Sequence, residues 1–567
     1  MNKLPILLLV FGLLCCLQLN AQSNSWLLNF GSVAKDQVTA ITEDHSGDII
    51  TAGVIKDTVT FTWGGNSYVL LPWRGDCFIT KQSASGQLIW LRHIGGNGSI
   101  HVRDIATDAQ DNFYITGSFL DTADFDATSN NVDLISTNAQ GDIFVAKYDN
   151  WGNFIWAKGI GGSGIDYASS IVVDQDSNVF VAGSFEGVVD FDPGITTHQI
   201  SGSSVQDAFI LKLDHAGNFK TVYSCGDIGV DFCTDLKIDN KGNLLVSGSF
   251  ELQVDFNSTN SNDTLSSSGS SDAFILKVDS NLSVIWVKKV GGTMSDEILA
   301  LEIDDAGNIY LAGAFEGSCD FNPGTGISQL VADSMDGFIL KLSSLGNYMW
   351  VNKIGGSGDD RVLDIAIDHQ HKVYVTGNFR DTVDFDPDTS STLNLVAQGN
   401  YDHYVYQLDT LGSLFWVQQF TGNMISTANR IYVDQQDNVY TVGSFEGAVD
   451  FDPSLVANNR LAIGQSDAFI HKHAPSPVVA IVELSEEMER NVTVYPNPIN
   501  DWVRIDFGRE YKFIEMKIYD TQGRLRQEEK YFTVQLIEVP VEEENGVYII
   551  ELLLNGAERK TFKLVKN

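Results

Sequence analysis

The chain has 567 residues, more than one compact core accommodates, so at least two domains are expected. Its 36 Lys plus Arg against 74 Asp plus Glu give a net charge of −38, which repels nucleic acid and anionic membrane surfaces, so neither is expected as a partner. The 51 Gly and 32 Phe beside only 11 Pro suit an all-β protein with many tight turns and aromatic-packed sheets better than a disordered one.

The chain opens with "MNKLPILLLVFGLLCCLQLNAQS", one Lys, an apolar run and a small residue at Ala21, which together read as a secretory signal peptide over residues 1–21. The run is short for a spanning helix and has no basic stop on its far side. A lipoprotein signal fits poorly, because Leu14 stands where a small residue should precede Cys15. No later stretch is apolar enough to span a bilayer, so a soluble, exported chain is expected. Of the remaining cysteines, Cys77, Cys225, Cys233 and Cys319, only Cys225 and Cys233 are close enough for a loop-closing disulfide; four unpaired buried thiols are the equal alternative.

Repetition organises residues 22–473. A strand-like run recurs as "DCFITK", "DIFVAK", "DAFILK", "DAFILK", "DGFILK", "DHYVYQ" and "DAFIHK", its Asp at 76, 142, 207, 272, 336, 402 and 467, in steps of 64 to 66 residues. A turn series lies at Asp44, Asp108, Asp174, Asp239, Asp304, Asp368 and Asp434. The strand after that turn ends in Gly53, Gly117, Gly183, Gly248, Gly313, Gly377 and Gly443. A fourth strand carries Trp26, Trp90, Trp156, Trp286, Trp350 and Trp416, with Thr221 as the exception.

Each unit therefore holds four strands, and in "DAFILKLD" the alternation puts Phe209, Leu211 and Leu213 on one face and Ile210 and Lys212 on the other. A four-stranded sheet repeated radially is a propeller blade, and counting each strand type predicts a seven-bladed β-propeller. The chain starts with a Trp strand, "SWLLNFG", and its repeats stop at "DAFIHK". One blade is thus expected to be split, with three strands from 428 to 473 and the fourth donated by the N-terminus, which removes exposed edges. An open solenoid would need no such complementary half-repeat.

The blade pattern, best formed in "IVVDQDSNVFVAGSF" and "DAFILKLDHAGN", resembles the bacterial β-propeller repeats named for seven-bladed propellers and, more distantly, the NHL repeats, over residues 25–473. The resemblance implies the fold and almost nothing about a ligand.

Within the repeat an acidic phrase returns, "DFD" at 124, 190, 384 and 450 and "DFN" at 255 and 320, with "TFT" at 60–62. It begins a long connection on the rim that also carries the "GGSGID" loops and Asp36, Asp166, Asp296 and Asp360, so that rim is expected to be acidic. Two readings stand. Either each Phe is a packing plug and each Asp caps a turn, or oxygen-rich loops gather calcium or a basic ligand, with Asp124, Asp126, Asp190, Asp192, Asp384, Asp386, Asp450 and Asp452 as candidate ligands. The "DQDSN" turn at 174–178 is read as a plain hairpin, because its relatives do not keep the middle carboxylate. The Lys at 81, 147, 212, 277, 341 and 472, replaced by Gln407 in one unit, reads as a partner for a carboxylate.

Enzyme motifs are sparse: the sequence contains no "GxSxG", no "HExxH" and no phosphate loop, and its paired carboxylates belong to the repeat itself. No catalytic residue is assigned. The pairs "HQH" at 369–371 and "HKH" at 471–473 lack an identifiable third metal ligand.

After a linker at 474–490, residues 491–567 lose the repeat and give about seven short strands, enough for a small antiparallel β-sandwich. "YPNP" at 495–498, "IYDTQGRL" at 518–525, "GVYIIEL" at 546–552 and "KTFKLVK" at 560–566 make this segment similar to the type A C-terminal sorting domain of the type IX secretion system. The residues that carry the likeness are Tyr495, Pro496, Asn497, Pro498, Gly523, Gly546, Lys563 and Lys566. The resemblance implies passage through the periplasm, export by the type IX machinery, removal of the domain, and either surface attachment or release. The whole is expected to be a non-catalytic binding or adhesion module that meets a surface glycan or protein at the propeller rim. The alternatives are a secreted polysaccharide hydrolase or lyase and a structural member of a surface complex.

Overall fold

Strict alternation and turn residues fold each repeat into an antiparallel meander. The computed structural model describes residues 25–473, apart from 64–65, 127–131, 139, 258–262, 389–390 and 453–457, together with 493–495, 502–520, 524–541, 546–554 and 558–566. The signal peptide expected at 1–21 and the linker expected at 474–490 lie outside the described residues.

In the first meander Gln37–Glu43 pairs with Ile49–Ile55, then Asp76–Gln82, then Leu88–Gly96. The same order restarts at Ile100–Thr107, Tyr167–Val173, Phe232–Ile238, Asp296–Ile303 and Arg361–Ile367. The last blade runs Ser426–Val433, Val439–Phe445, Asp467–Lys472 and then Trp26–Phe30, in register from Trp26 opposite Lys472 to Phe30 opposite Ala468. The N-terminal strand thus completes the blade that the C-terminal repeat begins, as expected. Successive innermost strands pack against one another around a closed ring, the last against the first. The architecture is an all-β propeller.

In four of the blades the repeated acidic phrase ties the blade to its predecessor. The second strand runs on into an outlying hairpin whose residues pair with the end of the preceding outermost strand, Asp190 opposite Gly161 and Val189 opposite Gly162, with equivalents at Asp124, Asp320 and Asp384. Its Phe is fully sequestered at 125, 191, 256, 321, 385 and 451, Phe191 lying 5.1 Å from Phe209 and 5.2 Å from Phe185 between ring centroids.

The glycine series has a steric cause. Every innermost strand carries a β-bulge, and the carbonyl just ahead of it points at the glycine of the second strand. A Cβ on Gly313 would sit 2.0 Å from the Glu297 carbonyl oxygen, and one on Gly117 1.9 Å from that of His101.

Residues 493–566 form a separate antiparallel sheet of five described strands, two of them long, Trp502–Asp520 and Leu525–Pro540. Where about seven short strands were expected, two pairs are continuous. The long hairpin breaks register between Asp506 and Tyr511, and Val503 and Ile505 before the break share one buried cluster with Ile514, Met516, Ile550 and Leu552 beyond it.

Two substitutions test this account. Phe30, buried against Phe61 at 4.3 Å and Phe78 at 5.1 Å, is the anchor of the closing strand; Phe30→Ala is expected to cost about 3–5 kcal/mol in chemical denaturation. Gly313→Ala, which forces backbone apart, is expected to cost about 2–4 kcal/mol, whereas Ile89→Ala on an exposed face should stay within about 0.5 kcal/mol.

Candidate functional site

The candidate calcium ligands sit in four separate outlying hairpins, and six of them, Asp124, Asp190, Asp192, Asp384, Asp386 and Asp450, turn an oxygen toward their own backbone. Asp124 accepts hydrogen bonds from the N–H groups of Asp126 and Val132, and Asp190 from those of Asp192 and His198. Asp384 accepts from Asp386 and Leu393, and Asp450 from Asp452 and Asn458. Asp192 and Asp386 accept in turn from Gly194 and Asp388. Among the described residues no three His, Cys, Asp or Glu side chains gather as a metal site.

The rim aspartates lie beneath the surface. Asp36, Asp166, Asp296 and Asp360 are buried, together with Asp231 at the same place in another blade. Asp166 accepts from Gly162 and Glu186, Asp231 from Asp227 and Glu251, and Asp360 from Gly356 and Arg380. Burial pushes the carboxyls of Asp166, Asp231, Asp296 and Asp360 up to about 7 despite these donors. These acids clamp loops and do not make the rim an acidic surface.

Of the repeated lysines, Lys81 pairs with Asp44, Lys147 with Asp108 at 3.2 Å and Lys277 with Asp239 at 2.8 Å, as expected, whereas Lys212, Lys341 and Lys472 donate instead to the backbone carbonyls of Ser280, Thr410 and Ala84. The four cysteines are free and buried. His371 lies in a turn and His369 meets Asp437 at 2.9 Å on the surface. His471 and His473 replace leucines inside the closing blade, their rings 4.2 Å apart, and His403 stacks on Phe420 beside them.

The residues that distinguish one blade from another face the centre, and the sequence reading did not single them out. Seven residues before each turn Asp the chain places Gln37, His101, Tyr167, Phe232, Glu297, Arg361 and Thr427; the next position holds only Val38, Val102, Ala168, Cys233, Ile298, Val362 and Ala428. The first set stands at the loop-rim end of the innermost strands. The second set packs within the blades. Counting back from the turn series finds both.

The bulge residues and their successors hold the ring together. Thr39 donates to the Val102 carbonyl, Ser169 to that of Cys233 and Asn429 to that of Val38, each across a blade junction. At the intervening junctions Asp104, Asp235 and Asp364 accept from the N–H groups of Ile171, Leu301 and Ile431. Glu297 and Arg361 pair at 2.8 Å across the remaining one. Below this ring a channel of about 370 Å³ is lined by Asp104, Asp235, Lys237, Glu302, Asp364 and Arg430. Asp364 is pushed up to about 7 by burial, although Arg430 opposes the shift.

Above the ring, on the loop rim, opens a mouth of about 450 Å³. Tyr167 and Phe232 give it two half-buried aromatic faces, Gln37, Gln140, Ser118, Ser169, Thr39, Thr234 and Asn429 its polar wall, and Arg103 and Arg430 its cations. Asp166 is the one carboxylate among the described lining residues. Such a concave mixture of aromatic and polar groups suits ligand binding.

Of the sorting-signal residues, Gly546 pairs with Lys566 and Lys563 with Ile549 in the C-terminal sheet, and Tyr495 lies opposite Arg504. The Lys566 ammonium donates to the Val541 carbonyl at 2.5 Å. Pro496, Asn497, Pro498 and Gly523 lie outside the described residues.

Comparison with known proteins agrees with this division. Residues 155–184 match the model of a β-propeller repeat and residues 493–567 that of a secretion system C-terminal sorting domain. The chain is therefore a β-propeller joined to a type IX sorting domain, which delivers it out of the cell through that system. It is 24% identical to the uncharacterized WD repeat-containing protein L264 of Acanthamoeba polyphaga mimivirus, over 79% of this chain and 38% of that protein. It is 25% identical to the regulatory protein FlaEY of Caulobacter vibrioides, over 35% of this chain and 20% of that one. The chain thus spans well under half the length of either relative. Among solved structures, YCF48 from Cyanidioschyzon merolae aligns at 10% identity and a TM-score of 0.31, over 79% of this chain and 99% of that one. Among the described residues no helix is long and apolar enough to cross a membrane.

The buried titratable groups set a pH dependence. Asp166, Asp231, Asp296 and Asp360 have carboxyls raised from 3.8 to about 7. The folded state is therefore the better proton binder between about pH 4 and 7, and lowering the pH in that window stabilises it. The buried imidazoles of His403, His471 and His473 are lowered from 6.5 by desolvation, so below that value they act in the opposite sense. The melting temperature is expected to rise from pH 8 to about 6.5 and then level off. Replacing His471 and His473 by Leu should extend the rise toward about pH 5. A melting temperature that falls between pH 8 and 6.5 contradicts the assignment.

Proposed function

We propose that this protein is a non-catalytic binding module, exported through its sorting domain and displayed on, or released from, the outer cell surface, where its propeller takes an extracellular glycan or protein ligand in the loop-rim mouth. One observation supports the reading above the others: equivalent positions that pack inside the blades are uniformly apolar, while the mouth takes Gln37, Tyr167 and Phe232 from one varied series and Thr39, Arg103, Ser169, Thr234, Leu299, Leu363 and Asn429 from the bulge series. A residue shared by all blades serves the fold. A residue that departs from the repeat, in a concave site of suitable size, serves a ligand. The hydrolase or lyase alternative has no comparable support. Asp166 lines the mouth with a raised carboxyl, but Asp231, Asp296 and Asp360 carry the same shift at the same place, which marks it as structural.

Two measurements test the parts separately. Deleting residues 493–567 is expected to leave the protein in the periplasm, and normal export of the truncated chain would refute the delivery route. Purified protein is expected to bind at least one member of an array of polysaccharides and matrix proteins. The double change Tyr167→Ala and Phe232→Ala should weaken that binding about tenfold or more, with the melting temperature held within a few degrees. Binding that survives the double change would move the site away from the mouth.

A further inference from the structure

The mouth has an open cation. At six of the seven blade junctions the central polar contact is a bulge-residue donor or the carboxylate that follows the bulge, and at blade two that duty falls to Asp104, which holds Ile171. Arg103, at the bulge place where Thr39, Ser169 and Asn429 donate across junctions, is thereby released. Its side chain is exposed in the mouth and has no ion pair or hydrogen bond among the described residues. Arg430 differs: Asp364, Asp104 and Asp235 balance it from the ring below. Lys56 lies outside the mouth's lining but adds to the positive field around Arg103, since both cations, after burial, hold the His101 imidazole below its ordinary range. The side-chain amides of Gln37 and Gln140 are also without a protein partner among the described residues.

Resting on the mouth as the binding site, we infer that its ligand is an acidic sugar at the end of a glycan chain, its carboxylate or sulfate on the Arg103 guanidinium and its apolar ring face on Tyr167 or Phe232. The planar fork of arginine matches a two-oxygen anion and an amide-lined wall matches sugar hydroxyls. A net charge of −38 over the whole chain would repel a long polyanion lying across the rim. That favours a single acidic terminus admitted into a local positive site, which at about 450 Å³ has room for it.

The test is calorimetric titration of the purified full-length protein with trigalacturonate, a 6-sulfated galactotriose and unmodified galactotriose, at 50 mM and 500 mM NaCl. We expect one of the acidic trisaccharides to bind at least tenfold tighter than the neutral one at low salt, the tighter acid identifying carboxylate or sulfate, with the advantage shrinking at high salt. Arg103→Gln should abolish that advantage without changing the melting temperature, and Arg103→Lys should restore only part of it. Equal affinity for all three sugars, or an acidic preference that survives Arg103→Gln, overturns the inference. If the neutral sugar still loses affinity in the Tyr167→Ala, Phe232→Ala protein, the mouth remains the binding site and only the charge assignment falls. If no sugar is bound, the inference also falls, and the wider array decides the binding-module reading on its own.

Discussion

One irregularity, the β-bulge in the innermost strand of every blade, governs the rest of the propeller. A bulge throws a carbonyl and an N–H out of the ladder, and buried backbone groups must find partners. The carbonyl is accommodated by the glycine opposite, which has no Cβ to oppose it. Where Thr39, Ser169 and Asn429 reach a carbonyl, and Asp104, Asp235 and Asp364 reach an N–H, the partner lies in the next blade. Satisfying the bulges is therefore also what joins the blades at the centre. At the outside the same task falls to the outlying hairpins and to the indole N–H groups of Trp26, Trp90 and Trp156, each of which donates to a turn carbonyl of the following blade.

This division of labour explains why so acidic a composition yields so little acidic chemistry. Asp44, Asp108, Asp174 and their equivalents accept backbone N–H groups within hairpin turns. Asp142, Asp207, Asp336 and their equivalents begin the third strands as buried acceptors for neighbouring loops and side chains. A short carboxylate is the side chain best able to cap two N–H groups at once in a tight turn. With several such groups in each repeat, the negative charge is a by-product of fold repetition, and the same repetition makes carboxylate pairs uninformative about catalysis.

Much of the architecture was legible because the repeat broadcasts it. The even spacing of "DAFILK" and its relatives gave the four-stranded unit, and the unmatched Trp strand at residue 26 gave the split blade, since a ring leaves a half-repeat only one place to go. The sorting domain was legible from short motifs in order. The roles of individual residues were less so. The rim aspartates look exposed in sequence because they sit in Gly-rich loops, yet those loops fold over them. Gly53 and its equivalents read as strand ends, whereas contact with a bulged carbonyl is a property of two strands. Gln37, Arg103 and Tyr167 drew no notice because they follow no pattern.

That last point bears on function. In a radial repeat every position is sampled once per blade, so each site carries its own internal control. At the place of Val38 the control is uniform, and the requirement is packing. At the place of Gln37 the chain offers an amide, an imidazole, a phenol, a phenyl, a carboxylate, a guanidinium and a hydroxyl in turn. Of these, Glu297 and Arg361 spend their charges on each other across a junction, which leaves the amide, the aromatic faces and the neighbouring Arg103 facing open space. The asymmetry of the mouth is thus concentrated on the first four blades, and a ligand seated there would lie off the propeller axis, against one side of the ring.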